Sequence, residues 1–238
     1  MRQNEYGQPI GPSLKDWGAP LHPPKTMLAG QYCQVVPVDV EQHAQDLYQA
    51  NSLEEDASGW TYLPYGPFAS LESYIQWLTQ TCLGDDPQFY AIIDRQSGQA
   101  VGLTSYLRIT PEHGVIEIGH LKFSPRLSRT TAATESLILM IRHAFDLGYR
   151  RCEWKCDAFN VKSRAAAERL GFIFEGVFRQ VIVYRDRSRD TAWYAIIDQD
   201  WPRLVPIYEQ WLDPKNFTEE GQQRIRLSAL MASLRVGE

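Results

Sequence analysis

The feature that most constrains this chain lies at residues 116–145, where an apolar stretch leads through a polar loop into a helical pattern. The segment reads I-E-I-G-H-L-K-F-S-P-R-L-S-R-T-T-A-A-T-E-S-L-I-L-M-I-R-H-A-F. Leu137, Ile141 and Ala144 recur at the spacing of one helix face, which predicts a helix at residues 132–146. The polar loop therefore ends where a helix begins.

Arginine and hydroxyl side chains are concentrated in this loop and in the first turn of the helix. They are Arg126, Ser128, Arg129, Thr130 and Thr131. A helix start also offers unpaired N–H groups and the positive end of the helix dipole, so it attracts anions. Two interpretations follow: the loop is a phosphate-binding turn for a cofactor, or it is an ordinary connection with a solvated surface.

Length and composition narrow the class of protein. The 238 residues fit one large domain or one domain with extensions, and a 44% hydrophobic, 22% charged composition is typical of a globular fold. A net charge of −5 without a long basic run disfavours a nucleic-acid partner. The N-terminus lacks a signal pattern, and no apolar run approaches the ~18 residues of a membrane span. We therefore expect a soluble, cytoplasmic protein without a membrane partner.

The four cysteines are Cys33, Cys82, Cys152 and Cys156. Cys152 and Cys156 lie on one predicted strand, about 13 Å apart at the rise of a strand. A disulfide needs Cα atoms within about 7 Å, so this pair cannot form one. No C-x-x-C or H-x-x-x-H spacing supports a metal site, and reduced, buried thiols are expected.

Hydrophobic periodicity divides the rest of the chain. Strands are predicted at residues 32–38, 88–94, 99–109, 115–123, 150–156, 172–184 and 191–197, and helices at residues 39–49, 70–82, 132–146, 163–170, 198–212 and 219–236. Prolines and glycines in residues 1–26 predict an extended arm. Residues 27–200 should form the main domain, and residues 201–238 a helical extension packed on it.

Three local features bear on a binding site. The strand, helix and strand within residues 115–156 should place two parallel strands side by side. Gly119 in the first of these strands indicates a β-bulge or a close backbone approach. The loop at residues 51–68 carries Trp60, Tyr62, Tyr65 and Phe68. These aromatic side chains either line a substrate pocket or pin the loop to the core.

Three segments in this order resemble the GNAT superfamily of N-acetyltransferases. They are E-I-G-H-L-K-F-S-P (117–125), A-T-E-S-L-I-L-M-I-R-H-A-F-D-L-G-Y-R-R (133–151) and D-A-F-N-V-K-S-R-A-A-A-E-R-L-G-F-I-F-E-G (157–176). The pattern is most similar to the branch of ribosomal-protein N-terminal (alanine/serine) acetyltransferases. The resemblance implies a GNAT fold, an α/β architecture with a mixed, twisted sheet of about seven strands flanked by helices. It also implies acetyl-CoA as the cofactor.

The resemblance further implies which residues meet the cofactor. Leu121 and Phe123 should offer backbone groups to the pantetheine arm and the acetyl carbonyl. The pyrophosphate should lie against the loop and helix start, whose members are Arg126, Ser128, Arg129, Thr130, Thr131, Ala132 and Ala133. Asn160, Ser163 and Arg164 should also contact the cofactor, although Asn160 is equally a natural helix cap and Arg164 a natural surface residue.

This cofactor loop departs from the family pattern Q/R-x-x-G-x-G/A. Ser128 stands at the Q/R position and Thr131 at the usual glycine. Glycine lets the backbone approach a pyrophosphate closely. Either the Thr131 hydroxyl donates to the phosphates, or Arg126 or Arg129 neutralises them, or cofactor affinity is weakened.

Acetyl transfer to an amine requires a base, which typically contributes 10²–10⁴-fold to the rate. Glu117, on the strand that aligns acetyl-CoA, is the predicted base; the alternative is a structural ion pair with an arginine across the sheet. His120 is the second candidate, but it should point away from Glu117 unless a bulge intervenes. Tyr184 is predicted to protonate the leaving thiolate, or else to be a packed strand aromatic.

The expected function is acetyl transfer from acetyl-CoA to a primary amine of a protein N-terminus or a small molecule such as a polyamine or an antibiotic-like amine. One alternative is an acyl-CoA-binding GNAT module with weak or no catalysis. Another is an adaptor that dimerises through the helix at residues 219–236. We expect a monomer or a homodimer, and no metal.

Overall fold

The computed structural model describes residues 2–219 and 221–235. Within them, the strands are β1 (Arg2–Gln3), β2 (Pro9–Ile10), β3 (Leu28–Ala29), β4 (Cys33–Pro37), β5 (Gln88–Asp94), β6 (Ala100–Thr110), β7 (Val115–Phe123), β8 (Arg151–Asp157), β9 (Ile173–Tyr184) and β10 (Arg187–Ile197). The α-helices are α1 (Val40–Asn51), α2 (Leu71–Thr81), α3 (Thr131–Asp146), α4 (Val161–Arg169), α5 (Trp201–Leu212) and α6 (Leu227–Arg235).

These described strands form an eight-stranded mixed sheet, in the order β3-β4-β5-β6-β7-β8-β10-β9, and a separate hairpin of β1 and β2. All neighbours in the large sheet are antiparallel except β7 and β8, which run parallel as the sequence predicts. The helix that joins them, α3, crosses one face of the sheet. Strand β3 has only two residues and adds an edge that the sequence does not reveal.

Side chains that alternate along the strands build a core on each face of the sheet. One core packs α3 and α5 against residues such as Ile116, Ile118 and Trp154. The other packs α1 and α2 against Phe89 and Leu103. Since α1 and α2 lie over only half of the sheet, the face at β7, β8 and β10 carries polar and charged side chains.

Helix starts follow the capping residues in the sequence. Ser70 caps α2 in a capping box with Ser73, as the sequence predicts for Ser70. Thr130 caps α3, and its Oγ1 accepts a hydrogen bond from the backbone N–H of Ala133 at 3.1 Å. The helix starts are therefore determined locally.

Two predicted boundaries are wrong. The polar turn predicted at residues 185–190 contains only Arg185 and Asp186, whose left-handed φ angles (49° and 58°) allow a two-residue hairpin, so β10 begins at Arg187. The helix predicted at residues 219–236 is shorter. Asn216 hydrogen-bonds both backbone groups of Ile225 and holds the preceding segment as a loop. Glu220 and Val236 lie outside the described residues.

The N-terminal arm contacts the domain at separate points. The Trp17 ring lies 5.4 Å from the Arg150 guanidinium, and the Leu21 carbonyl accepts a hydrogen bond from the Tyr149 hydroxyl at 3.2 Å. All four cysteines are free and buried. No helix in the described part of the chain is both long and apolar enough to cross a membrane.

Candidate active site

The parallel strands β7 and β8 separate along their length. They pair only from Val115 to Glu117, and the last pair joins Glu117 to Glu153. Beyond it β7 continues to Phe123 on the edge of β6, and β8 continues on the edge of β10. The facing edges therefore present backbone groups that no strand pairs, including those near Leu121 and Phe123. An extended ligand with amide groups can insert there as a strand does.

Beyond Glu117 on β7 and Glu153 on β8, the two strands enclose a wedge-shaped gap, here called the wedge. Its wide end lies at the start of α3. Thr131 is the first helical residue, and Ala132 and Ala133 complete a first turn whose early N–H groups have no acceptor within the helix. Arg129, and not Thr131, has the left-handed backbone, with φ 66°. The local conformation thus does not require a glycine at position 131.

The loop before α3 is held by its own polar groups. The Ser128 hydroxyl donates to the Phe123 carbonyl at 3.3 Å, and Arg126 donates to the Gln99 side chain at 2.6 Å. Arg126 and Arg129 are exposed, so both guanidinium groups can turn toward an anion at the helix start.

A second helix start, that of α4, follows the carboxyl end of β8. Asn160 caps it by accepting the N–H of Ser163 at 3.1 Å, and the Ser163 hydroxyl accepts the Trp154 indole N–H at 3.0 Å. Arg164 donates to the Tyr194 hydroxyl at 3.0 Å. Because the carboxyl ends of parallel strands lie together, the starts of α3 and α4 flank the same wedge.

Glu117 is enclosed by cations. Its side chain is 3% exposed, and both of its oxygens lie 2.8 Å from Nη1 of Arg108. Nζ of Lys155 lies 2.9 Å from Glu117 and 2.6 Å from Glu153. The arginine pairing that the sequence left open is present, and a buried lysine joins it. Arg108 itself is half-exposed, so it covers Glu117 from the solvent side.

The β-bulge predicted at Gly119 is present. Leu103 pairs with Lys122 while Ser105 pairs with Gly119, so β7 has one extra residue, and His120 adopts a φ of 52°. His120 consequently packs against Phe89, at a centroid distance of 5.0 Å, on the α1–α2 side of the sheet. Glu117 lies on the same side, since its neighbours in β7 face the α3 core. The bulge brings the two candidate bases onto one face.

Burial lowers the pKa of His120 to about 4, with smaller contributions from Arg108 and Arg189. The ring stacks on Tyr65, and Nδ1 lies 3.2 Å from the Tyr65 hydroxyl. His120 is therefore neutral at pH 7.

This low pKa predicts a pH dependence of stability. The unfolded imidazole, near pKa 6.5, binds more protons than the folded one between about pH 6.5 and pH 4. The contribution of neutral His120 to the free energy of unfolding is therefore complete above pH 6.5. It is lost as the pH falls toward 4, by an amount on the order of 3 kcal/mol. Urea unfolding at pH 7 and pH 4.5 should show a smaller pH effect in His120→Gln than in the wild type. An equal pH effect in both proteins would contradict it.

Tyr184 lies where β9 ends. Its hydroxyl donates to Oδ2 of Asp157 at 2.9 Å, and burial together with this carboxylate raises the pKa of the phenol. A phenol with a raised pKa keeps its proton at neutral pH, as a general acid must. The contact joins the end of β8 to the last hairpin.

The loop at residues 51–68, here called the aromatic loop, lies across the site. Trp60 is buried, and its carbonyl accepts a hydrogen bond from Arg185 at 3.0 Å. Arg187 donates to the Thr61 carbonyl at 2.7 Å, and the Tyr62 hydroxyl donates to the Phe159 carbonyl at 3.1 Å. The loop is thus pinned to the rest of the fold. Trp60 and Phe68 also line a cavity, and its use as a substrate pocket stays a prediction.

Sequence reasoning missed four charged residues of the site, which are Glu54, Arg108, Lys122 and Lys155. Arg108 and Lys155 flank Glu117 from neighbouring strands, so strand register identifies them once pairing is known. Glu54 lies in a loop and contacts Lys122 across the fold, for which the sequence holds no local signal. No cluster of His, Cys, Asp or Glu in the described ranges is placed to hold a metal ion.

Comparison with known proteins assigns this architecture to a family. The Acetyltransferase (GNAT) domain family matches residues 35–173. A GCN5-related N-acetyltransferase from Brucella melitensis is 41% identical, with a TM-score of 0.90 over 92% of this chain and 100% of its own. A GNAT-family acetyltransferase structure from Chromobacterium violaceum is 40% identical, with a TM-score of 0.76 over 82% and 98% of the two chains.

RimL, a ribosomal L7/L12 alpha-N-protein acetyltransferase solved with coenzyme A, shares the fold at 22% identity, with a TM-score of 0.59 over 72% of this chain and 98% of its own. The mixed sheet of eight described strands, parallel only at β7 and β8, is thus the GNAT fold that the sequence predicts. This chain is an acyltransferase and belongs to the GNAT family of N-acetyltransferases.

Proposed function

We propose that this chain moves the acetyl group of acetyl-CoA to a primary amine, which attacks the thioester directly. The wedge between β7 and β8 is the observation that carries the proposal, because it presents two unpaired strand edges beside a helix start. Acetyl-CoA supplies an activated thioester and a thiolate leaving group. A GNAT relative solved with coenzyme A supports this choice of cofactor.

The residues of the wedge fit such a ligand. The backbone near Leu121 and Phe123 is available to amide groups of the pantetheine arm, and the first turn of α3 donates N–H groups to phosphates. Arg126, Ser128 and Arg129 lie in the loop before it, followed by Thr130, Thr131, Ala132 and Ala133. In this proposal Asn160, Ser163 and Arg164 at the start of α4 contact the cofactor from the other side of the wedge.

Glu117 is the proposed base. The half-exposed Arg108 must leave one carboxylate oxygen, or a water must connect it to the amine, before Glu117 takes the proton. Lys155 stays in direct contact with the carboxylate, 2.9 Å away, and holds its position. Tyr184 is the proposed acid for the thiolate, since its phenol is protonated at neutral pH.

A second candidate function is acyl-CoA binding with weak or no catalysis. The observation in its favour is the enclosure of Glu117 by Arg108 and Lys155, which occupies the oxygens that a base needs. Both candidate functions predict binding of acetyl-CoA, but only acetyl transfer predicts substantial turnover.

Turnover is measured as release of free CoA thiol in the presence of acetyl-CoA and a panel of acceptors. The panel contains peptides with free alanine or serine N-termini, diamines and arylalkyl amines, with N-acetylated peptides as controls. We expect release with at least one free amine and none with the blocked peptides. Cofactor binding without release across the panel favours the binding module.

Substitution of Thr131 tests whether its hydroxyl contributes to cofactor affinity at the position where the family usually has glycine. No described residue hydrogen-bonds the Thr131 hydroxyl, so it is available to a phosphate oxygen. A hydrogen bond to a charged group contributes roughly 1.5–3 kcal/mol, so Thr131→Val should weaken acetyl-CoA binding about 10- to 100-fold. Thr131→Ser, which keeps the hydroxyl, is the matched control. Equal affinities for the Val variant and the wild type would show that the hydroxyl makes no such contact.

A further inference from the structure

Charged side chains form a continuous row of ion pairs across the sheet beside the site. The row runs from β6 to β9 and alternates three cations with three carboxylates, which are Arg108, Glu117, Lys155, Glu153, Arg151 and Glu175. Two of these carboxylates, Glu117 and Glu153, are paired directly opposite each other on β7 and β8. Like charges in that arrangement repel, so the row depends on the Lys155 ammonium group, which contacts both.

The Lys155 ammonium group has three N–H donors, and three neighbours lie within contact distance of it. Its Nζ lies 2.9 Å from Oε2 of Glu117 and 2.6 Å from Oε2 of Glu153. The third neighbour is the Trp193 ring, whose centroid is 3.9 Å from Nζ. Only 8% of the lysine side chain is exposed, so these contacts replace most of the water around its charge.

The Trp193 ring is placed by the sheet and by a second ring. Trp193 on β10 is paired with Lys155 on β8, so both side chains lie on the same face. Phe178 of β9 stacks on the indole, with ring centroids 4.5 Å apart and planes inclined by 28°. The buried indole N–H has no hydrogen-bond partner among the described residues. Since an unpaired buried N–H is unfavourable, the favourable contact of Trp193 is made by its ring face.

This arrangement distinguishes the two oxygens of Glu117. Lys155 contacts Oε2, whereas Nη1 of the half-exposed Arg108 lies 2.8 Å from both oxygens. When Arg108 turns away, Oε1 is free and Oε2 stays with Lys155. A carboxylate held by one oxygen presents the other in a fixed direction. General-base catalysis needs this, because the acceptor atom must lie within hydrogen-bond reach of the proton.

We propose that Trp193 is a positioning residue: its ring holds Lys155 on Oε2 of Glu117, so that Oε1 accepts the proton of the amine. The inference rests on the proposed function, in which Glu117 is the base. Trp193 acts through Lys155 and needs no contact with the cofactor or the amine. An aliphatic side chain at position 193 would open the ammonium group to water and let it move between the two carboxylates.

The test compares Trp193→Leu and Trp193→Phe in the complete chain, by CoA release at saturating acetyl-CoA and amine. The amine is the member of the acceptor panel that gives the fastest release. Leucine removes the ring face, so kcat should fall about 10- to 100-fold, while the calorimetric affinity for acetyl-CoA stays within about twofold. Phenylalanine keeps a ring face, so kcat should return to within about threefold of the wild type.

Trp17→Leu is the matched control. It removes another partly buried ring from a cation, since the Trp17 ring lies 5.4 Å from the Arg150 guanidinium on the N-terminal arm's side of the fold. This variant should have the kcat of the wild type. Thermal unfolding checks that each variant is folded, which is expected for Trp193 because its side chain is only partly buried.

A double-mutant cycle with Lys155→Gln tests whether the effect passes through the lysine. Glutamine removes the cation and keeps a side chain that can donate hydrogen bonds. When position 155 is already glutamine, Trp193→Leu should change kcat by less than about twofold. If Lys155→Gln does not fold, the comparison of leucine with phenylalanine at position 193 decides the inference.

Three results would overturn the inference: wild-type kcat in folded Trp193→Leu, an equal loss with leucine and phenylalanine, or the full effect of leucine in the Lys155→Gln background. If Glu117→Gln loses activity in the same assay while Trp193→Leu keeps it, the proposed base stands and Trp193 does not position it. If the wild type releases no CoA with any amine of the panel, the proposed function fails, and the inference fails with it.

Discussion

Replacement of Glu117 by glutamine is expected to lower kcat/KM for acetyl transfer by 10²–10⁴-fold, the usual contribution of a general base. Glutamine keeps the shape of the side chain and removes the charge and the proton acceptor. The affinity for acetyl-CoA should stay within about twofold, because the proposed cofactor contacts lie at Leu121, Phe123 and the start of α3. CoA release at saturating amine and calorimetric titration of acetyl-CoA measure the two quantities separately.

Glu153→Gln is the matched control for this experiment. Glu153 is opposite Glu117 in the sheet, is also buried and shares Lys155 with it, while Arg151 holds its other oxygen at 2.7 Å. Both substitutions remove one carboxylate from Lys155, so their effects on the melting temperature should be similar. A comparable loss of activity in both variants, or full activity in Glu117→Gln, would make Glu117 a structural ion-pair residue.

Replacement of Glu135 by alanine is expected to produce the largest loss of stability. The carboxylate is 3% exposed and accepts the backbone N–H groups of Gln31, Tyr32 and Cys33 at 2.7, 2.7 and 2.8 Å. These bonds join α3 to the turn between β3 and β4. Since an unsatisfied buried N–H costs about 1–3 kcal/mol, the free energy of unfolding should fall by roughly 3–5 kcal/mol.

Urea unfolding followed by tryptophan fluorescence measures this loss, and the melting temperature should fall by roughly 10 °C. Glu209→Ala is the control, because Glu209 is exposed on α5 and its 3.2 Å contact with Arg142 is a surface ion pair worth about 0–1 kcal/mol. A Glu135→Ala protein as stable as the control would show that the three bonds do not anchor α3.

The sequence predicted the parts of the fold that local signals encode. Ser70 and Asn160 start helices because their side chains accept nearby N–H groups, and such caps are visible at fixed spacing. Gly119 predicted the bulge in β7 because a glycine inside a strand indicates a bulge or a close backbone approach. The parallel pair of strands followed from the handedness of strand–helix–strand connections.

Contacts between distant segments could not be predicted in this way. Lys122 meets Glu54 across 68 positions, and Glu135 reaches Gln31 across 104. Such pairs depend on the packing of α1 and α3 against the sheet, which no local pattern specifies. The face occupied by His120 was undecided for a related reason, because one extra residue in a strand reverses every later side chain.

The central claim is that acetyl-CoA binds in the wedge between β7 and β8. Calorimetric titration of acetyl-CoA into the complete chain tests it most directly, at two salt concentrations and beside an Arg126→Ala/Arg129→Ala double variant. We expect one site per chain, with affinity that falls with added salt and is at least tenfold weaker in the double variant, because exposed arginines near phosphates act through screened charge. Absence of binding at millimolar acetyl-CoA would contradict the account.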